Sequence, residues 1–393
     1  MKNRLYLDAH VLQTVPPSCV NRDDTGSPKT AIYGGTVRSR VSSQAWKSAM
    51  RKIFREEIFS PDKLGSRTTR IVEMVEQEIR KIDSTVDARE MAIDIISRIT
   101  NKKGELIIAL DDKNKSKVLM FISRAQAVAL AQLAFDERRH ITREDFKSGE
   151  TDDSPEEKER KQKIKAAFEA FHKDCKSALC TRNSVDIALF GRMVASDPLL
   201  SCDAAAQVAH SISTHTIQNE YDYFTAVDDL SPDDTSGAGH LGTVEFNSST
   251  LYRYTTVNLV ELAASIGKTD TPEIARGFVD AFIRSMPTGK QNTFANRTLP
   301  DMVYVTIRRD QPVNLCGAFE KPIRAGSDGY AANSEKRLVE YAEKLYTNYA
   351  SNPCDSFAIG ETIGKIAENM TLNDLLDHVF AKTAEYIDES EDE

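Results

Sequence analysis

The segment VSSQAWKSAMRKIFREEIF (41–59) carries the residues best suited to chemistry. Its apolar spacing predicts a helix capped by Ser42 or Ser43 and ended by Pro61. At 100° per residue, Trp46, Ala49, Met50 and Ile53 share one face, and Gln44, Lys47, Arg51 and Arg55 share another. Arg38 and Arg40 lie just ahead. A cationic stripe that begins at a helix N-terminus, where backbone N–H groups already favour anions, suits a row of phosphates. The plainer alternative is a solvated helix face, but few acids are at hand to neutralise it.

Other constellations are weaker. Asp23 and Asp24 in NRDD (21–24) could pair for metal or acid–base work, yet no third ligand is evident, and Asx residues in a Pro/Gly loop usually hold turns. Gly34-Gly35 matches no nucleotide cradle and reads as a positive-φ turn. His210, His215 and His240 are dispersed and form no metal motif, so satisfied polar roles are expected. No cofactor or metal is called for. YDYFTAVDD (221–229) and the following SPDDTSGAGHLGTVEF (231–246) read as a hairpin around a Gly/Ser/Asp turn. Its Tyr221, Tyr223 and Phe224 could be core or could stack on bases.

The elements that must position these residues sit in a chain of 393 residues, 40% hydrophobic and 28% charged, which excludes a wholly disordered protein and allows two or three domains. No apolar run approaches the roughly 18–20 residues of a membrane span. MKNRLYLDAH lacks a secretory h-region, and six dispersed cysteines form no CxxC pair, so a cytoplasmic protein with reduced thiols is expected. The net charge of −9 hides an uneven distribution. Residues 1–55 hold ten Lys/Arg against three Asp/Glu, whereas 385–393 hold six acids and no base. That acidic tail is expected to be disordered. The basic first segment fits a nucleic-acid partner or a solvated face.

LYLDAHVLQT (5–14) alternates as a strand, and Val15 to Gly35 reads as a long loop. Helices are expected at roughly 66–82, 86–100, 120–136 and 155–179, so 61–180 looks like a helical insertion. SVDIALFG (184–191), LYRYTTVNLVEL (251–262) and DMVYVTIR (301–308) read as strands, with a helix at 273–286 between the last two. Joined with the strand at 5–14 and the helix at 41–59, the order is β, α, β, β, α, β. That is a ferredoxin-like split βαβ unit in an α+β chain.

CVNRDD, IYGGTVRSRVSSQAWKSAMRK, SVDIALFGRM, YDYFTAVDD and HLGTVEFNSSTLYRY together, in one collinear order, resemble the CasC-type (Cse4) backbone subunits of type I-E CRISPR Cascade. The resemblance runs from about residue 4 to 330 and is weakest in 61–180. It implies a modified RRM-like palm (1–60, 181–200, 250–330), helical fingers (61–180) and a protruding hairpin thumb (201–249). A C-terminal helical region (331–384) and the acidic tail (385–393) would follow. It further implies a non-catalytic scaffold that binds crRNA, stacks head to tail with copies of itself, joins other Cascade subunits, displaces every sixth base and supports target-DNA recognition, with no membrane partner.

Carried onto this sequence, the guide contacts fall on Lys29, Ser42, Gln44, Lys47, Arg51, Met193, Tyr223, Phe224, Thr225, His240 and Leu241. Tyr223-Phe224 stands where relatives often carry Trp-Phe, which would keep a flat apolar surface. The finger cations Lys158, Arg160, Lys161, Lys163 and Lys165 would meet target DNA, against the alternative of a solvated helix paired with Glu156, Glu157 and Glu159. Backbone subunits of RNA-targeting complexes supply the competing expectation, a metal-dependent RNase using Asp23 or Asp24.

Overall fold

The computed structural model describes residues 4–101, 105–146, 154–181, 183–194, 197–226 and 240–389. In chain order the elements are β1 (Tyr6–Ser18), β2 (Thr30–Tyr33), β3 (Thr36–Val41), α1 (Ser43–Ile53), β4 (Gly65–Thr68), α2 (Ile71–Ile82) and α3 (Ala88–Ser97). Then come β5 (Met120–Ser123), α4 (Arg124–Leu133), α5 (Pro155–Cys180), α6 (Val185–Phe190), β6 (Ala206–Val208), β7 (Ser211–Ser213), β8 (Glu220–Ala226) and β9 (His240–Asn258). The chain closes with α7 (Leu259–Ile266), α8 (Thr271–Arg284), α9 (Gln291–Phe294), β10 (Met302–Arg308), α10 (Ala331–Asn348), β11 (Asp355–Ile359), β12 (Glu368–Asn369) and α11 (Leu372–Glu389). They group into two units: Met1–Ile58 with Ala206–Ala263 and Lys268–Glu393, and Phe59–Ala205 with Ala264–Gly267.

The first unit is built on one sheet of order β12-β11-β10-β1-β9-β7-β3-β2, with β6 and β8 also on β9. At its centre β10, β1, β9 and β7 are antiparallel neighbours, and α1 and α8 supply the two helices. This is the expected ferredoxin-like α+β arrangement. One strand assignment changes. SVDIALFG is not the second strand of the unit but the helix α6, in the second unit, with Ser184 at its N-cap, all six residues buried, and Gly191 closing it at φ 77°. The second strand is β7. Periodicity cannot separate a short, fully buried apolar run into strand or helix, and here the buried setting selected the helix.

Other boundaries move for identifiable reasons. β1 runs on to Ser18, with a register shift between Val15 and Ser18 that accommodates Pro16-Pro17, so the long loop shrinks to its middle part. Gly34 and Gly35 form the expected positive-φ turn between β2 and β3 (φ 59° and 74°). The region 331–384 is not wholly helical, because β11 pairs with β10 and extends the sheet. α11 continues into the acidic tail as far as Glu389, held by buried Ile387, and 390–393 lie outside the described residues.

The second unit has its own core. α2 buries Ile71, Val72, Val75 and Ile79, and α3 buries Ala88, Met91, Ala92, Ile95 and Ile96. α5 closes over them with Phe171, Cys175 and Leu179, at helical spacing. Among the described residues no helix is long and apolar enough to cross a membrane.

Candidate nucleic-acid interface

The helix α1 begins where expected. Ser42 is its N-cap: the buried hydroxyl accepts from Ala45 N (3.3 Å), and Ser42 N donates to Asn21 Oδ1 (2.9 Å). The proposed contact at Ser42 therefore holds the helix start and ties it to the Cys19–Lys29 loop. Trp46, Met50 and Ile53 face the core. The indole N–H donates to Ser211 Oγ (2.9 Å) and the ring lies under the Arg253 guanidinium (3.8 Å). Gln44 is consequently turned to solvent, and Lys47 and Arg51 are half-exposed. Lys29 N donates to Asn21 O, and Lys29 O accepts from Arg40 N (2.9 Å), which brings the Lys29 backbone beside the strand leading into α1.

Arg38 does not belong to the stripe. It is fully buried and donates to Ser213 O (2.9 Å), Phe319 O (2.9 Å) and Glu320 O (3.3 Å), so it cross-links three segments of the sheet unit. Arg40, two residues on, instead reaches Thr30 O (3.2 Å) and His210 Nδ1 (3.4 Å). His210 takes a polar role, as expected, and only its place at the start of α1 is what sequence reasoning missed. Its Nδ1 also accepts from Ser43 N at the start of α1 (3.3 Å). Burial, then the positive charges of Arg40 and Lys29, push its pKa down, which favours the neutral acceptor at this spot. Nothing in the sequence marks it, since 167 residues separate it from Ser43. His215 is likewise satisfied as expected, and it is buried: Nε2 accepts from Thr250 N (3.1 Å) and the ring stacks on Tyr330.

NRDD forms a turn. Asp23 Oδ1 accepts from Thr25 N (2.9 Å), Thr25 Oγ1 (2.7 Å) and Ser27 N (3.0 Å), and these bonds, the Thr25 hydroxyl foremost, hold its carboxyl below the usual range. Asp23 and exposed Asp24 line a polar cleft of about 750 Å³, bordered by the Ser48 and Lys52 side of α1 and by residues 286–291.

The expected hairpin is present as the antiparallel ribbon of β8 on β9, with an unbroken register from Glu220↔Phe246 to Ala226↔His240. His240 and Leu241 occupy positions opposite Ala226 and Thr225. The rest of the turn, 227–239, lies outside the described residues. Because side chains alternate along a strand, Tyr221, Tyr223 and exposed Thr225 share one face, and Phe224 lies on the other. Tyr223 and Phe224 thus cannot form one flat surface. Tyr223 is 62% exposed, while Phe224 covers Gly242, its cross-strand partner. A Cβ at 242 would sit 2.4 Å from the Phe224 ring. A two-stranded ribbon is marginal by itself, so Gly242→Val is expected to speed amide exchange across β8 and the facing part of β9 by about tenfold. Unchanged exchange would show that this cover does not stabilise the ribbon.

Met193 belongs to the second unit, where it is 88% exposed. Its neighbour Arg192 explains why: buried, it donates to Leu200 O (2.9 Å), Phe121 O (3.2 Å) and Gln126 Oε1 (3.1 Å), anchoring the loop and leaving Met193 outside. The finger cations occupy the N-terminal half of α5, whose buried residues all lie from Phe168 onward. Arg160 pairs with Glu157 (3.2 Å), Lys163 with Glu159 (2.7 Å) and Lys165 with Glu169 (3.9 Å). Lys161 is half-buried, and Lys158 sits one turn into the helix. Exposed pairs of this kind contribute about 0.2–1 kcal/mol each.

The model of one protein family, described as CT1975-like protein, matches residues 7–381. The chain belongs to the CT1975-like family. No curated protein matches it. Among solved structures, this CT1975-like chain is 31% identical to a chain of a "CRISPR RNA-guided surveillance complex, pre-nicking", with a TM-score of 0.75 over 96% of this chain and 100% of that one. A chain of another "CRISPR RNA-guided surveillance complex" is 26% identical, with a TM-score of 0.58 over 96% and 99%.

Proposed function

We propose that this chain is a crRNA-binding backbone subunit of a Cascade surveillance complex of type I-E. In this reading it is non-catalytic, stacks head to tail with its own copies beside other Cascade subunits in the cytoplasm, displaces guide bases at regular intervals and supports target-DNA recognition. The observation that carries the reading is the stripe of α1, Gln44, Lys47 and Arg51, in a chain similar over 96% of its length to subunits of RNA-guided complexes. Lys29 and Ser42 lie at its head. Backbone-directed cations accept any guide sequence, as such a subunit requires. The ribbon adds Tyr223, Phe224, Thr225, His240 and Leu241, and Met193 serves as a wedge. Only one ring of the Tyr223-Phe224 pair meets a given base, and Tyr223 is the more exposed. Asp23 is committed to its turn, which supports a non-catalytic role for this loop.

The test is a salt titration of binding to guide-length RNA of several sequences. Lys47→Ala/Arg51→Ala is expected to flatten the log–log slope by about 1.4, at roughly 0.7 for each phosphate no longer neutralised, and to weaken all sequences alike. An unchanged slope, or a loss confined to certain sequences, would overturn the assignment. With magnesium or manganese added, the RNA is expected to be recovered intact. Cleavage that disappears in Asp24→Ala would support the RNase alternative instead.

A further inference from the structure

The second unit holds an open cleft of about 490 Å³ at the C-terminal half of α5, away from the cations at 158–165. Its aromatic wall is a chain of rings: Phe146 lies 5.2 Å from Phe168, and Phe168 lies 4.2 Å from His172. Phe168 is buried and fixes the chain, while Phe146 is half-exposed at the cleft. Exposed Arg143 and Lys173 flank the rings. The other two charges in the lining are engaged within the protein: Lys176 pairs with Asp197, and Glu169 with Lys165. The cleft therefore offers a π-surface beside two cations.

That pairing discriminates among ligands. A simple anion has no use for the rings, and an apolar peptide has no use for the cations. A nucleotide uses both, with its base on the ring and its phosphate on the guanidinium or ammonium group. A duplex hides its base faces in the stack, so the strand must be single. We propose that this cleft binds one nucleotide of single-stranded nucleic acid, the base on Phe146 and the adjoining phosphate on Arg143 and Lys173. The site lies on a different unit from α1 and does not depend on Lys47 or Arg51.

The test uses the full chain in a Lys47→Ala/Arg51→Ala background, so that binding at α1 does not mask the cleft, and follows the fluorescence anisotropy of labelled (dT)12 and (rU)12. Phe146→Leu keeps apolar packing but removes the π-face. It is expected to weaken binding about 5- to 150-fold, the range of one base stack, and to have no effect on an abasic strand of the same length. Arg143→Gln/Lys173→Gln is expected to reduce the salt slope by about 0.7, the value for the one phosphate they share, on every strand, abasic included. Equal loss with (dT)12 and (rU)12 identifies a site for either sugar, and loss with one alone identifies that strand as the ligand. Affinity unchanged by Phe146→Leu, or lost equally on the abasic strand, overturns the proposal. Failure of the α1 assignment would appear separately, as an unchanged salt slope when Lys47 and Arg51 are replaced in the wild-type chain.

Discussion

Replacing Arg253 by alanine is expected to cost the first unit about 3–5 kcal/mol, because one substitution removes a buried stack, opens a cavity and strands several acceptors. The fully buried guanidinium lies 3.8 Å from the Trp46 ring centroid and 4.7 Å from that of Phe282. It donates to Gln13 Oε1 (2.6 Å), Ser285 Oγ (3.3 Å) and Phe282 O. β9, β1, α8 and α1 are thus joined through one side chain. Trp46 is the single tryptophan, so its fluorescence during denaturation reports on this unit directly. Arg253→Met fills most of the volume and is expected to cost less, about 1–2 kcal/mol. Since α1 docks through Trp46, RNA affinity should fall with stability in the alanine variant and largely return in the methionine variant. A midpoint for Arg253→Ala indistinguishable from wild type would refute this account of how α1 is held.

A second large effect concerns acid stability. His10 and Asp8 are both buried in β1. His10 stacks among Tyr252, Tyr254 and Tyr304, and its Nδ1 lies 2.8 Å from Tyr252 Oη. Asp8 accepts from Val313 N (2.8 Å) and Tyr254 Oη (3.1 Å). Burial pushes the imidazole pKa down to about 3 and the carboxyl up to about 6. The depressed imidazole contributes stability that is fully present above pH 6.5 and lost as pH falls toward 3. The raised carboxyl contributes stability that is fully present below pH 3.8 and lost as pH rises through 6.

Between about pH 6 and 4 the two slopes oppose each other, and the pair is nearly pH-neutral. Removing one member exposes the other. Relative to wild type, His10→Phe should gain about 4 kcal/mol between pH 7 and 3, and Asp8→Asn should lose about 2 kcal/mol between pH 6.5 and 4. Denaturation followed by Trp46 fluorescence across that range measures both differences. Differences that stay constant with pH would show that neither group is held in its neutral form.

Much of this fold is legible locally. The α1 periodicity, its Ser42 cap, the Gly34-Gly35 turn and the strands at 5–14, 251–258 and 302–308 follow from neighbour-to-neighbour physics: side-chain period, capping and permitted φ. Errors arose where burial chose between local options. The five apolar residues of α6, with buried Asp186 among them, satisfy strand and helix alike, and only their surroundings decide. DSFAI at 355–359 became a strand because β10 had an open edge to receive it.

What the sequence determined by itself was the class of molecule: an α+β chain with a ferredoxin-like order, a basic helix stripe and a hairpin. Each of those rests on spacing within a few residues, which the chain carries wherever it folds. Which charges can reach a ligand was decided only in three dimensions. Arg38 and Arg40 look equivalent in sequence, yet one is sealed beneath backbone carbonyls and the other turns to His210. Tyr223 and Phe224 are adjacent in sequence and opposed in space. Met193 stands out because its neighbour is pulled in. For the two arginines the physical reason is packing against groups 170 or more residues away, which leaves no mark on local spacing. Met193 is exposed because the contacts of Arg192 reach other segments of its unit. The two rings part because pairing with β9 holds 220–226 as a strand, whose side chains alternate.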